Sequence, residues 1–171
     1  MLISQRLSTP LGDMLALASA HGLCLLEFCD QANLAREVEQ VQKVHAAPVQ
    51  PGENDVIAQT AHELAEYFAG LRTDFAIPLD FVGTAFQIAV WQVLRTIPFG
   101  QTYSYAEQAR VMGRPAATRA VAAANGRNKI PIVVPCHRVI GSDGSLTGFG
   151  AGLPRKRALL TLEGCHFSDK G

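Results

Sequence analysis

Residues 131–141 read PIVVPCHRVIG, which sets Cys136, His137 and Arg138 side by side after Pro135. A cysteine is a soft nucleophile once its thiol is ionised, and a neighbouring imidazole or a helix amino terminus favours that ionisation. The β-branched run before Pro135 predicts an extended strand leading into the triplet. On a regular strand, however, consecutive side chains point to opposite faces. A direct Cys136–His137 bond therefore needs a turn at that point, or a bridging water. A glycine-rich loop follows, with Gly141, Gly144, Gly148, Gly150 and Gly152. Taken alone, the same residue types also fit a small apolar cysteine packed in a core, so both readings stay open at this level.

The elements that must position this segment are punctuated clearly. Thr84-Ala-Phe-Gln87 is a capping box and opens a helix with Phe86, Val90, Trp91 and Leu94 on one side. Ser104-Tyr-Ala-Glu107 is a second capping box, opening a helix that stops at Gly113. Pro115 suits a first helical turn, so PAATRAVAAAN predicts another helix. Two short helices joined by a tight glycine-containing turn fit a helix-turn-helix, and equally an ordinary helical hairpin. The second of them is nearly all alanine, with Arg119 as its one large polar side chain. Such a slim helix could enter a groove of nucleic acid, or simply pack closely against its neighbour.

The amino-terminal half reads differently. MLALAS and GLCLLEF, separated by turn residues, predict a small antiparallel sheet, and NLAREVEQVQKV a surface helix. Residues 46–54, with two prolines and a glycine, read as a loop. DVIAQTAHELAEYFAG keeps helical spacing at Val56, Ile57, Ala61, Leu64, Ala65 and Phe68, and FAIPLDFVG returns to extended chain. The expected fold class is α+β: an amino-terminal antiparallel-sheet domain over 1–82, then a mostly helical domain over 83–171.

Composition supports a packed protein, with 48% hydrophobic and 18% charged residues among 171. The start lacks the features of a signal peptide, and no window is apolar enough to span a membrane. A cytoplasmic location with free thiols is expected for Cys24, Cys29, Cys136 and Cys165. The net charge is zero, but it is polarised. Residues 1–82 carry 4 Lys or Arg against 11 Asp or Glu, and residues 83–171 carry 11 against 4. A basic half facing a polyanion would explain this, as would two halves that attract each other.

The PCHRVIG segment resembles the active-site signature of the O6-alkylguanine-DNA alkyltransferases. GTAFQIAVW, IPFGQTYSYAEQA, the Arg119 helix, RNKIPIVVPCHRVIG and RKRALLTLEG stand in the order of that family. The likeness spans essentially the whole chain and is dense from Gly83 to Gly164. It implies direct, irreversible repair: alkylated guanine, or alkylated thymine, is turned out of duplex DNA and its alkyl group passes to Cys136. It further implies that His137 draws off the thiol proton through a water, that Glu163 orients His137, and that Asn128 packs beside the cysteine loop. By the same likeness Tyr105, Arg119, Ala120 and Arg127 meet DNA, with Tyr105 turning a phosphate and Arg119 filling the gap left by the flipped base. Trp91, Val139, Gly148, Phe149 and Gly150 would surround that base. No cofactor is implied, and the expected acting species is a monomer on double-stranded DNA, without a membrane.

The chemistry is coherent with these residue types. A bond from sulfur to an alkyl carbon needs a soft anion, and a stacked base must be extruded to be reached. Two rivals remain at this level. One is a binding module, either a helix-turn-helix regulator or an alkyltransferase-like protein that binds lesions without reacting, the latter lacking the acceptor cysteine that is present here; the other is a cysteine hydrolase, which would turn over repeatedly. The family usually carries tyrosine where Phe149 stands. Zinc ligands of some relatives do not align with His21, Cys24 and Cys29, so core thiols and no metal are expected. Cys165, near the polar tail HFSDKG, reads as an exposed thiol.

Overall fold

The structure is a computed structural model, and it describes residues 1–168. The chain divides into two compact units, Met1–Val82 and Gly83–Gly171.

The first unit is built on a four-stranded sheet of order β3-β2-β1-β4, formed by β1 (Leu2–Leu7), β2 (Met14–Ala18), β3 (Leu23–Phe28) and β4 (Val49–Pro51). β1, β2 and β3 pair antiparallel. β4 pairs parallel to β1. That strand lies inside the stretch expected to be loop. Its proline is tolerated because β4 is the last strand of the sheet, where one row of backbone donors goes unused. Helix α1 (Leu34–His45) packs on β3, and α2 (Asp55–Phe68) packs on β1, β2 and β3. The Asn54 side chain accepts from the Ile57 amide and starts α2.

The face α2 buries is shifted from the expected stripe. Val56, Ile57, Thr60, Glu63, Leu64 and Tyr67 are the buried residues. Ala61, Ala65 and Phe68 instead line, with Arg6, Leu7 and Pro10, a groove of about 470 Å³. Alanine carries little apolar area, whereas Tyr67 has a ring to cover, so the buried stripe turns towards Tyr67. Residues 76–82 run along the outer edge of β3. The Leu23 amide donates to Pro78 O (2.8 Å) and the Asp80 amide to Leu23 O (2.9 Å).

The second unit is mostly helical: α3 (Ala85–Leu94), α4 (Tyr105–Val111), α5 (Thr118–Asn125) and α6 (Leu153–Leu162). Both capping boxes form as the sequence predicts. Gly113 (φ 73°) makes the left-handed turn after α4 that a side chain would resist. Pro115–Ala117 form a 3-10 turn rather than the first turn of α5, so the expected helix is split. The alanines of α5 allow it to lie against both α3 and α4. Two bonds lock that packing. The Trp91 indole donates to Ala124 O (2.9 Å), and the buried amides of Gln108 and Asn125 bond reciprocally (2.8 and 2.7 Å).

The strand expected over PIVV is absent. Residues 126–135 are turns, with Ile132 at φ 74°. Pro131 and Pro135 lack the donors a ladder needs, and the buried Asn128 side chain supplies bonds in its place. The regular pairing here is a two-residue parallel ladder of β5 (Tyr103–Ser104) with β6 (Val139–Ile140). Among the described residues, no helix is long and apolar enough to cross a membrane.

Candidate active site

Cys136–Arg138 form a 3-10 turn, which supplies the departure from a strand that adjacent cysteine and histidine require. The turn is closed from both sides. The Arg138 amide donates to Pro135 O (3.0 Å), and the Cys136 amide to Val134 O (2.8 Å). Asn128, just past α5, fixes the approach. Its amide nitrogen donates to Val134 O (2.9 Å) and to Cys136 Sγ (3.2 Å), while its oxygen accepts from the Ile130 amide (3.0 Å). Cys136 is half-buried, so the sulfur is held by a donor and still reachable.

His137 is fully buried. Its Nε2 lies 2.7 Å from Glu163 Oε2. Burial first, and the nearby charges of Arg138 and Lys156 after it, hold the imidazole below its ordinary pKa, against the pull of Glu163. It is therefore neutral at pH 7, with its proton on Nε2 facing the carboxylate. That tautomer leaves the lone pair on Nδ1. Nδ1 is buried and accepts no hydrogen bond from a described residue.

Glu163 caps the end of α6. Burial alone would raise its pKa, but bonds and charges from His137 and Arg138 outweigh this and hold it at about 2. The guanidinium of Arg138 donates twice to Glu163, from Nε to Oε1 (2.7 Å) and from Nη2 to Oε2 (3.1 Å), and once to Ile97 O (2.6 Å). Glu163 is thus a fixed negative charge. In the sequence, Arg138 is signalled only by its place in the Cys-His-Arg triplet.

Lys156 is the second residue the sequence concealed, because it sits in an RKR run that resembles solvated charge. It is fully buried, and Nζ donates to Val139 O (2.6 Å) and Thr147 O (2.7 Å). Burial lowers its pKa to about 8, an effect partly opposed by negative charge on Cys136. One ammonium therefore ties the cysteine turn to the glycine-rich loop.

The residues expected at the DNA surface divide. Arg119, Ala120 and Arg127 are exposed on or just after α5. Tyr105 is half-buried, and its hydroxyl donates to Thr147 O (3.1 Å), so it rests on the loop carrying Gly148. Around the expected base position, Gly148 and Gly150 are exposed and Phe149 half-buried. Trp91 is 1% exposed, and its indole donates to Ala124 O of α5. Val139 is also buried, and its carbonyl is taken by Lys156.

Cys165 is 8% exposed and belongs to a core cluster with Ile140, Leu146 and Leu160. Burial raises its thiol pKa to about 11. It is a core thiol, contrary to the exposed one expected. The polar tail misled because residues before it turn back onto the unit; residues 169–171 of that tail lie outside the described ones.

Comparison with known proteins agrees across the whole chain. Residues 3–81 match the family model described as "6-O-methylguanine DNA methyltransferase, ribonuclease-like domain", and residues 85–165 the one described as "6-O-methylguanine DNA methyltransferase, DNA binding domain". A methylated-DNA–protein-cysteine methyltransferase of Mycobacterium leprae is 44% identical over 163 residues, covering 95% of this chain and 93% of the relative. A crystal structure of the Mycobacterium tuberculosis O6-methylguanine methyltransferase superposes with a TM-score of 0.81 at 41% identity, covering 96% of this chain and 93% of the other. A structure of the Mycobacterium tuberculosis protein in complex with DNA gives a TM-score of 0.81 at 40% identity, covering 95% and 92%.

Proposed function

The chain belongs to the 6-O-methylguanine DNA methyltransferase family, and from that premise we propose that Cys136 is the acceptor through which it repairs alkylated DNA. The observation that carries this reading is the turn that sets Cys136, whose sulfur accepts from Asn128, next to His137, whose ring is paired with Glu163 and braced by Arg138.

The steps follow from the geometry. Glu163 accepts from His137 Nε2–H, so Nδ1 is the basic nitrogen. A water between Nδ1 and the sulfur carries the Cys136 proton to His137, and the developing imidazolium is stabilised by the fixed charge of Glu163. Asn128 donates to the sulfur as it becomes anionic. The thiolate attacks the alkyl carbon, the carbon–oxygen bond breaks, and its electron pair leaves on guanine O6. A proton from a nearby hydroxyl donor neutralises the purine. The thioether formed is not readily hydrolysed, so each chain acts once, and the cysteine itself is the only co-reactant.

The unit over 83–171 does this work, and the unit over 1–82 is structural. α4 and α5 act as a helix-turn-helix on double-stranded DNA. Arg119 replaces the extruded base, Ala120 lies close to the groove, and Arg127 meets the backbone. Tyr105 exchanges its Thr147 bond for a phosphate. Gly148, Phe149 and Gly150 receive the base. The chain works as a cytoplasmic monomer.

Mass spectrometry after mixing with a duplex carrying O6-methylguanine tests the proposal. One methyl group per chain, on the peptide containing Cys136, is expected. Label on Cys24, Cys29 or Cys165, or many turnovers per chain, overturns it.

A further inference from the structure

Two carboxamides are buried where α4 packs on α5, and the transfer steps make no use of them. Gln108 lies on α4, and Asn125 is the last residue of α5. The other buried residues of these two helices, Ala109, Val121 and Ala124, are apolar. The amides bond in both directions: Gln108 Nε2 donates to Asn125 Oδ1 (2.8 Å), and Asn125 Nδ2 donates to Gln108 Oε1 (2.7 Å). We propose that this pair positions the donor to the reactive sulfur: by fixing the end of α5 against α4, it sets Asn128 on Cys136. The role rests on Cys136 being the alkyl acceptor.

The path from amide pair to sulfur is short. Asn125 O accepts from the Asn128 amide (3.2 Å), so the turn leaving α5 starts from the residue that Gln108 holds. Ala124 O, beside it, accepts from the Arg127 amide (3.1 Å) and from the Trp91 indole (2.9 Å). The Asn128 side chain then donates to Val134 O (2.9 Å) and to Cys136 Sγ (3.2 Å). A donor stabilises charge developing on sulfur only while it is aimed at it, and hydrogen bonds weaken steeply with angle.

Alanine lets α5 come close to its neighbours, but a surface of methyl groups does little to fix its rotation. Two opposed N–H···O bonds between flat groups do fix it, because sliding or turning either helix strains both bonds together. An apolar pair would fill the same space without that direction, whereas a single amide left unpaired would cost stability. α4 and α5 are also the helices proposed to dock on DNA. The pair therefore holds the docking helices and the sulfur donor in one frame.

The test uses the full chain as four proteins: the parent, Gln108→Leu, the double variant Gln108→Leu/Asn125→Leu, and the exchange Gln108→Asn/Asn125→Gln. Three quantities are measured on each. They are Tm, the single-turnover rate of methyl transfer from an O6-methylguanine duplex, and the pH midpoint for alkylation of Cys136 by iodoacetamide, read on its peptide by mass spectrometry. Gln108→Leu strands the Asn125 amide and should lower Tm and slow transfer. The double variant removes the stranded amide and should recover Tm, yet transfer should stay about two- to tenfold slow. Its Cys136 midpoint should rise by up to about one pH unit. The exchange keeps the combined length of the two side chains and should recover rate and midpoint together. Tyr105 and Lys156, which interact electrostatically with Cys136, and His137, Arg138 and Glu163 are the same in all four.

A double variant with the parent's rate and midpoint makes the pair a structural contact only and overturns the proposal. So does a slower rate with an unchanged midpoint, which would place the pair in DNA docking, and so does an exchange as slow as Gln108→Leu. If the leucine variants fail to fold, Gln108→Asn decides: it shortens one arm and should raise the midpoint, adding Asn125→Gln should restore it, and no change overturns the proposal. If the parent itself moves no methyl group to Cys136, the acceptor reading fails, while the iodoacetamide midpoints still decide whether the pair acts on the sulfur.

Discussion

Each unit of this molecule brings a cysteine, a histidine and a carboxylate together, and the two triads behave oppositely. Cys136 is half-exposed and receives a hydrogen bond from Asn128; its histidine and carboxylate are linked to each other and braced by Arg138. Cys24 is fully buried and lies against Asp80 and His45. Burial first, and the Asp80 charge second, raise its thiol pKa to about 11. Residue types therefore do not make a nucleophile. Access, a donor aimed at the sulfur, and a carboxylate whose charge is spent on the histidine and not on the thiol decide it.

The largest expected break in this comparison is at the sulfurs. Cys136→Ala should abolish alkyl transfer while leaving DNA binding intact, and Cys24→Ala should leave transfer in place. Intact-mass measurement and a gel-shift assay check both. Next comes the carboxylate. Glu163→Gln keeps a partner for His137 Nε2–H but removes the fixed charge, and should slow single-turnover transfer by about a hundredfold, with DNA affinity little changed. An unchanged rate would mean that Cys136 is activated without His137.

A smaller loss is expected at Arg119, which lies outside both triads. Arg119→Ala should slow repair of duplex by roughly tenfold or more, since the vacated stack goes unfilled, and should spare reaction with the free modified base. Equal losses on both substrates would give Arg119 a purely structural part. Binding should also weaken with added salt, as expected for a basic unit on a polyanion.

The triad of the second unit should also respond to acid. His137 has a folded pKa below its ordinary 6.5 because it is buried. As pH falls below 6.5, the unfolded chain takes a proton that the folded one refuses, and stability drops by up to about 1.4 kcal/mol per pH unit for that proton. Glu163 adds a second loss of the same sign as pH falls from 4.5 towards about 2. Urea midpoints from pH 7 to pH 4 should therefore fall, and Glu163→Gln should flatten the portion below 4.5. Transfer itself should fail below the lowered His137 value, where the base is already protonated.

The smallest effect is expected at Phe149. If its ring edge faces the flipped purine, Phe149→Tyr adds one neutral hydrogen bond, worth about 0.5–1.5 kcal/mol, and speeds transfer about two- to tenfold. No change, or a slower variant, would point to a rearranged glycine-rich loop.

Much of this was legible in the chain. The capping boxes at Thr84 and Ser104 are local: a side chain bonds an amide three residues away, so sequence alone determines them. The boundary of charge near Val82 and the Cys-His-Arg triplet are local in the same sense, and the triplet already demanded a turn. What the chain did not display depends on contacts between distant segments. PIVV has strand composition, yet Pro131 has no donor, the Val134 amide donates to Ile130 O and the Val134 carbonyl accepts from Asn128, because β-propensity reports fit to a neighbouring strand and no such strand lies beside it. Lys156 looks like surface charge until two carbonyls, one from β6 and one from the glycine-rich loop, converge on it. His45 and Asp80 carry no signal at all, being 21 and 56 residues from Cys24. Side-chain chemistry is written residue by residue, but burial and the pairing of charges are properties of the fold. Those two decide which thiol is a nucleophile and which is core.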